Sequence, residues 1–409
     1  MNDCETVIPG RLRQFEQTQI HTPWIIKKVL GREFAPNTAE YAALKQGLFA
    51  GDDAMDCYVQ ARIQASPQKP DWQEFHQALQ TANPLEFQGS NELRILIQNT
   101  FINPNWVDWQ LMDEGVQFIQ STGRAATDVL RDMALMGGYL MVAFNKTLIL
   151  TGELEKGAAP RLASTAQWWL KVVNTNANHA GGLGAITTLR VRWMHALVRH
   201  QLRNSPQWDS NQWGLPINQV DMAATYLGFS AVMLLGLRKM GIVVTARNSR
   251  SVMQLWKLIG WQMGVQEKWL VDTEQEALVA LRQFLFTHSP PDESTQRLAS
   301  ALAGEPLSRN YSNFQTLRRK FAHHKHLSSS WYLLGPGMFY KLGLKAPWGP
   351  FIALMMVPLR AATHLAQRCI PLISKRQILQ GRRAQEIAVA ELHQRQVAQS
   401  KTLTSMNAS

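Results

Sequence analysis

Three residues on one predicted helix could do chemistry together: Arg192, His195 and Arg199 in the stretch Thr188–Leu202. Val191 and Val198 flank His195 at helical spacing, which puts the imidazole on or near an apolar stripe. A histidine in that position is most often a core residue whose needs are met locally. The arginines change the weighing, because they lie three residues before and four after His195 on neighbouring positions of the same face. Burying two guanidinium groups costs several kcal/mol unless anions meet them. Haem would supply both needs, an iron that takes a neutral imidazole and two carboxylates that take cations. Arginines that snorkel to water, or that pair with Asp or Glu, fit the same spacing. His200 falls toward the polar side, beside Arg199 and Arg203.

Other chemistries find little support. There is no GxxxxGK loop, HExxH, CxxC, GxSxG or Glu-x-x-His pair. Gly182 and Gly184 form half of a dinucleotide fingerprint, with no strand before them. The run Phe321-Ala322-His323-His324-Lys325-His326 could hold a metal, but it follows Arg318, Arg319 and Lys320, so a solvated basic face is the preferred reading. Cys4, Cys57 and Cys369 are odd in number and far apart, which argues against a disulfide framework or a zinc site.

The elements that must position these residues are helices. Apolar residues recur at three- and four-residue spacing over Trp106–Ile149, Leu162–Val173, Ile186–Leu202, Val220–Met240 and Val252–Gly264. Sustained period-two alternation is missing, so the chain is expected to be all-α, a single multi-helix globular domain around a buried haem pocket. Breaks fall at Ala65–Pro70, Asn103–Asn105, Gly152–Pro160, Ser205–Pro216 and Ser289–Pro291. They suggest an N-terminal helical region over 1–105, a core over 106–290, a C-terminal helical region over 291–396 and a disordered tail over 397–409.

Composition is that of a globular protein, 45% hydrophobic and 18% charged over 409 residues, with a net charge of +12. That charge suits an anionic membrane surface, nucleic acid or acidic cofactor groups alike. The N-terminus has no apolar signal core and no run of about 18 uncharged apolar residues occurs. A cytoplasmic protein, membrane-associated at most, is expected. Trp331–Leu359 is rich in aromatic residues, Met, Gly and Pro, and a basic segment, Lys375 to Arg383, follows. The plainer reading is a hairpin of buried helices with a solvated tail. The alternative is an interfacial anchor that makes peripheral membrane contact.

The block Arg190–Leu202 (RVRWMHALVRHQL), followed by Trp213-Gly214-Leu215-Pro216-Ile217-Asn218-Gln219, resembles the rubber oxygenase and latex clearing protein family, shared with the fungal ER-bound oxygenase of mycophenolic acid biosynthesis. The resemblance runs from about Trp106 to Trp269. It implies haem b ligated by the histidine of an R-x-x-H-x-x-x-R motif, here His195, with Arg192 and Arg199 helping to hold the site. It also implies a distal helix with an R-x-x-K-T pattern, which reads here as Arg161-Leu162-Ala163-Ser164-Thr165. The lysine is replaced by Ser164, Asn145 stands where the family has a distal glutamate, and Glu153 replaces the arginine of a T-G-R-L turn. On this resemblance Arg161, Ser164 and Thr165 are the expected catalytic groups. The expected reaction is haem- and dioxygen-dependent attack on a hydrophobic substrate, such as cleavage of an isoprenoid C=C bond, with no nucleic-acid partner. A non-catalytic haem sensor or carrier, and a cofactor-free helical interaction protein, are the alternatives.

Overall fold

The computed structural model describes residues 8–152, 158–369 and 371–406. Helices are the only regular elements among the described residues, as the periodicity predicts. The chain divides into two compact units that are not consecutive. The first comprises Met1–Leu111, Thr175–Leu227 and Met253–Ser289; the second comprises Met112–Asn174, Gly228–Val252 and Pro290–Ser409. The expected breaks near 105 and 290 lie close to two of the crossings, but the stretch between them is not a unit of its own. Helices run through two of the other three crossings: Gln219–Phe229 and Ala246–Gln262 each contribute to both units.

The long apolar stretches are more broken than their periodicity suggests. Val220–Met240 forms two helices, Gln219–Phe229 and Ala231–Lys239, separated at Ser230. Together they are long and apolar enough to cross a membrane, yet 72% of that window is buried inside the protein, as in a core helix. Trp106–Ile149 forms Trp109–Ser121, then Arg124–Gly138, then Val142–Leu150, with a bend of 92° before the last. Gly123, at φ +53°, makes the first break. At the bend the Asn145 amide donates to the Tyr139 carbonyl (2.8 Å) and to Thr295 Oγ1 (3.3 Å). Asn145 is therefore a buried bracket for a backbone turn.

The first unit is organised around a cluster that includes Tyr58, Phe75, Leu96, Phe101, Leu189 and Ala196. These come from Asp53–Ala65, Gln73–Ala78, Asn91–Phe101 and Leu183–Arg203. Trp193 extends it, its ring 5.4 Å from Trp72 and 5.5 Å from Phe75. Leu183–Arg203 thus has two jobs, with one face building this core and another carrying His195.

In the second unit, Ala158–Val172 packs along the terminal helix Pro371–Met406. Gly381 lets the terminal helix also approach the end of Trp109–Ser121, since a Cβ there would stand 2.1 Å from the Gln120 carbonyl. Arg382 donates to the carbonyls of Leu170 (2.9 Å) and Val173 (3.4 Å) at the C-terminal end of Ala158–Val172. The basic segment is thus partly an internal cap and not wholly a solvated tail. Helix also continues to Met406, through most of the stretch expected to be disordered, where Ala, Gln, Lys, Leu and Met occur and Pro and Gly do not.

The His323–His326 cluster also differs from expectation. His326 is buried on the helix Gln315–Leu334, with Nδ1 2.8 Å from Asp132. Asp132 also pairs with Arg131 (2.6 Å), and Arg131 reaches Glu305 (3.2 Å). Asp128 takes Lys325 (2.9 Å) and Arg360 (3.3 Å). Burial pushes Asp132 up to about 6 and drives His326 well below its ordinary value, so at neutral pH a neutral imidazole faces a carboxylate that is largely ionised and paired with Arg131. A π-helical turn, Leu130–Leu135, presents Arg131 and Asp132 to this network. Among the described residues no group of three or more His, Cys, Asp and Glu is placed to hold a bare metal ion.

Candidate functional site

The helix Leu183–Arg203 starts from a tight return of the chain. Gly182 and Gly184 sit so close to the carbonyl of Ala177 that a Cβ would stand 2.5 and 2.9 Å from it. These glycines answer to packing and carry no dinucleotide signature. Three turns in, His195 is half-buried, and its Nδ1 is buried with no hydrogen-bond partner among the described residues. Burial lowers the pKa of His195 to about 4; Arg199 lowers it further and Asp52 opposes. The imidazole is neutral at physiological pH, which is the form that binds a metal.

Arg192 and Arg199 are both buried, as their spacing suggests, but their anions are protein carboxylates. Arg192 makes a two-pronged contact with Asp52, Nε to Oδ2 at 2.5 Å and Nη2 to Oδ1 at 2.7 Å, and a third bond to Thr100 Oγ1 at 2.8 Å. Arg199 pairs with Asp56 through Nη1 and donates to the Ile217 carbonyl at 3.0 Å. The charges that seemed to call for haem carboxylates are therefore met inside the first unit. The arginines act as positioning groups, tying the histidine helix to the start of Asp53–Ala65. Asp52 also caps that helix, accepting from the Met55 amide at 3.3 Å.

The second family-like block closes around the same place. Gly214 (φ +69°) lets the chain pass so near Leu48 that a Cβ would stand 2.5 Å from its carbonyl. Ile217, at φ +49°, offers its carbonyl to Arg199. Gln219 is fully buried, donating to the carbonyls of Gly51 (2.6 Å) and Gly264 (2.9 Å) and accepting from the Gln266 amide (2.8 Å). At Gly264, φ +89°, a Cβ would stand 2.3 Å from Asp52 Oδ2 and 2.7 Å from Arg192 Nε. The W-G-x-P-I-N-Q stretch is thus a clasp on the ion pairs that fix the histidine helix. Sequence reasoning missed Asp52, Asp56, Thr100 and Gly264, and gave Gln219 only as part of the family-like block. The signal for the first two was an acidic pair one turn apart in a chain poor in acids.

Arg161, Ser164 and Thr165 share one face of Ala158–Val172 in the second unit, whereas His195 and its arginines belong to the first. Arg161 is half-buried, its Nη1 3.4 Å from the Tyr139 hydroxyl and its guanidinium 5.8 Å from that ring's centre. Burial raises the Tyr139 pKa and Arg161 opposes that shift, so the phenol keeps its proton at neutral pH. Ser164 is exposed and donates to the Pro160 carbonyl (3.0 Å); Thr165 is exposed beside it. Glu153 and Cys4 lie outside the described residues, and Cys57 is a free, exposed thiol.

A haem held through one protein nitrogen asks for a neutral, internally unpartnered imidazole on a rigid element, and His195 fits that demand. Arg192 and Arg199 do not fit the part of carboxylate holders, since their own carboxylates already occupy them.

Comparison with known proteins identifies the fold and the family. The rubber oxygenase of Streptomyces sp. (strain K30) is 23% identical over 221 residues, 52% of this chain and 54% of that protein. The chain thus matches about half the length of that curated relative. A solved structure of latex clearing protein in its closed state shares the all-helical fold, with a TM-score of 0.65 at 20% identity over 81% of this chain and 91% of the other. The model of the family described as ER-bound oxygenase mpaB/B'/Rubber oxygenase, catalytic domain, matches residues 122–368, which include both the His195 helix and the Arg161 helix. With more than half of its length matched, the chain belongs to the ER-bound oxygenase mpaB/B'/rubber oxygenase family.

Proposed function

We propose that this chain is an oxygenase that uses dioxygen and haem b on a hydrophobic substrate, with His195 as the iron ligand. The observation that carries the reading is the His195 ring: a buried nitrogen without a partner, on an imidazole held neutral, in a family of oxygenases. When bound, haem would supply the redox chemistry with dioxygen, and the protein would set orientation, polarity and access.

Each residue then has a definite task. His195 would hold the iron as a neutral base, and Arg199's nearby charge disfavours its protonation. Arg192 and Arg199 hold the helix that carries it through Asp52 and Asp56, so the imidazole keeps one orientation. Arg161 provides fixed positive charge, and the Tyr139 hydroxyl beside it provides a proton that stays in place at neutral pH. Ser164 and Thr165 add hydroxyls that orient polar parts of the reactants. The substrate class that suits the reading is an unsaturated isoprenoid or terpenoid, split at a C=C bond so that one oxygen atom of dioxygen ends on each carbon as a carbonyl.

The test is direct. Protein produced with added haem should show a Soret band and a haem b pyridine haemochrome, and should consume oxygen with an unsaturated isoprenoid. His195→Ala should lose the band while keeping wild-type helicity. A wild-type protein without the band would remove the cofactor, and one with the band but without oxygen uptake would favour a haem carrier or sensor.

A further inference from the structure

The second unit carries an apolar helix face that nothing among the described residues covers. The helix Phe351–Cys369 turns Ala353, Val357, Arg360, Ala361 and His364 inward. The Ala353 amide donates to Ser328 Oγ (3.2 Å), the Arg360 guanidinium reaches Asp128 (3.3 Å), and Val357 and Ala361 press on Gly241. The opposite face shows Phe351 (59% exposed), Met355 (62%) and Leu359 (59%), with Leu354 and Leu365 beside them and Trp348 (61%) just before the helix. Arg360 is the only charged residue in 351–366, and its pairing takes it off this face. Soluble proteins seldom leave such a stripe open without a partner. The expectation of a hairpin of buried helices therefore fails for this element.

Charge names the partner. No Asp or Glu occurs between Glu305 and Glu386, and thirteen Lys and Arg do, against a net charge of +12 for the whole chain. Some of these are used internally: Arg309 by Glu305, Lys325 and Arg360 by Asp128, Arg382 by backbone carbonyls. Lys341 and Lys345 before the apolar helix, and Lys375 and Arg376 after it, are exposed. An uncharged apolar face with lysines and arginine at both ends has the chemistry of an in-plane helix on an anionic bilayer, its apolar side chains among the acyl chains and its cations at the headgroups. A tryptophan at one end suits the headgroup boundary.

We propose that the Phe351–Cys369 helix is a lipid-contact element that docks this protein on anionic membrane surfaces through its Phe351–Met355–Leu359 face. The inference stands independently of the oxygenase reading. It is tested with the full chain by co-sedimentation with vesicles of phosphatidylcholine alone and of phosphatidylcholine mixed with phosphatidylserine.

The expected result is binding to the mixed vesicles, weakened by salt, with little binding to the neutral ones. Met355→Glu and Leu359→Glu replace outward-facing side chains, so helicity and Tm should stay at wild-type values while affinity falls roughly tenfold or more. Lys341→Gln and Lys345→Gln should each cost about fivefold. Ile102→Glu, exposed elsewhere, should bind as the wild type. Failure to bind anionic vesicles, equal binding to neutral ones, or affinity unmoved by the glutamates would overturn the proposal. So would self-association abolished by the glutamates without any vesicle binding, since the occupant would then be a second copy of the chain.

Discussion

The Arg192–Asp52 pair offers the sharpest separation between a positioning role and a cofactor-holding role. Asp52→Asn keeps a side-chain oxygen that can still cap the Met55 amide, so it removes mainly the charge. Both partners are almost fully buried, with side-chain exposures of 5% for Arg192 and 3% for Asp52. Removing one member of such a pair leaves an uncompensated charge, a cost of about 3–5 kcal/mol, and one retained hydrogen bond returns about 1 kcal/mol. Asp52→Asn should therefore destabilise by about 2–4 kcal/mol, and Arg192→Met, which strands the carboxylate, by about 3–5 kcal/mol. The double variant leaves no buried charge behind and should fall well short of the sum, with a coupling of about 2 kcal/mol or more. Thermal scans should show each single change as a fall of roughly 10 °C, at about 2–4 °C per kcal/mol for a body of this size. Haem content per folded protein is read alongside. If Arg192→Met and Arg192→Gln leave the melting temperature alone but release haem, the arginine serves the cofactor and the reasoning from its ion pair is refuted. Additive single and double changes would refute it equally.

Two further outcomes follow from the same region. Gly264→Ala should cost at least about 1–2 kcal/mol for the left-handed backbone alone, and more because its Cβ displaces the Asp52–Arg192 contact; a melting temperature within error of wild type would contradict the 2.3 Å approach. His288 is buried, and its burial, aided by Arg11, pushes its pKa down to about 3. The unfolded chain takes up this proton near pH 6.5 and the folded chain does not, so stability is complete above pH 6.5 and declines as pH falls toward 3, by up to about 4–5 kcal/mol. His288→Leu should flatten urea-unfolding free energy against pH across that window, and an unchanged slope would assign the loss to other groups.

Much of the fold could be read locally, because helices announce themselves through neighbours three and four residues apart. The histidine helix was legible for that reason, with Val191 and Val198 marking its apolar side. What satisfies its arginines was not, since Asp52 lies 140 positions from Arg192 and no local pattern links them. Spacing put Arg192 and Arg199 beside His195 and left snorkelling, carboxylate pairing and haem all open, because it does not say which anion is waiting. The interleaved units were hidden for a related reason: turns mark where a helix stops, not which body the next one joins. His326 was legible in principle. Ala322, His326, Ser329 and Leu333 fall on one buried stripe of their helix, but the adjacent Arg318, Arg319 and Lys320 drew the reading toward solvent. Ser230 interrupts an apolar run, and Gly228, two residues before it, was the one local flag for the break.

The reach of the histidine helix back to the first sixty residues bears on how this protein can be cut. The family match begins at residue 122, downstream of both Asp52 and Asp56. A fragment trimmed to those limits would keep His195, Arg192 and Arg199 and discard the two carboxylates that neutralise the arginines. It would also lose Gly51, one of the two carbonyl partners of Gln219. Two guanidinium groups would then face an opened apolar surface with no counter-charge, and insolubility of the fragment would follow from the cut itself. Expression limits for this chain are therefore set by its ion pairs, and they lie well outside the segment that similarity alone would select.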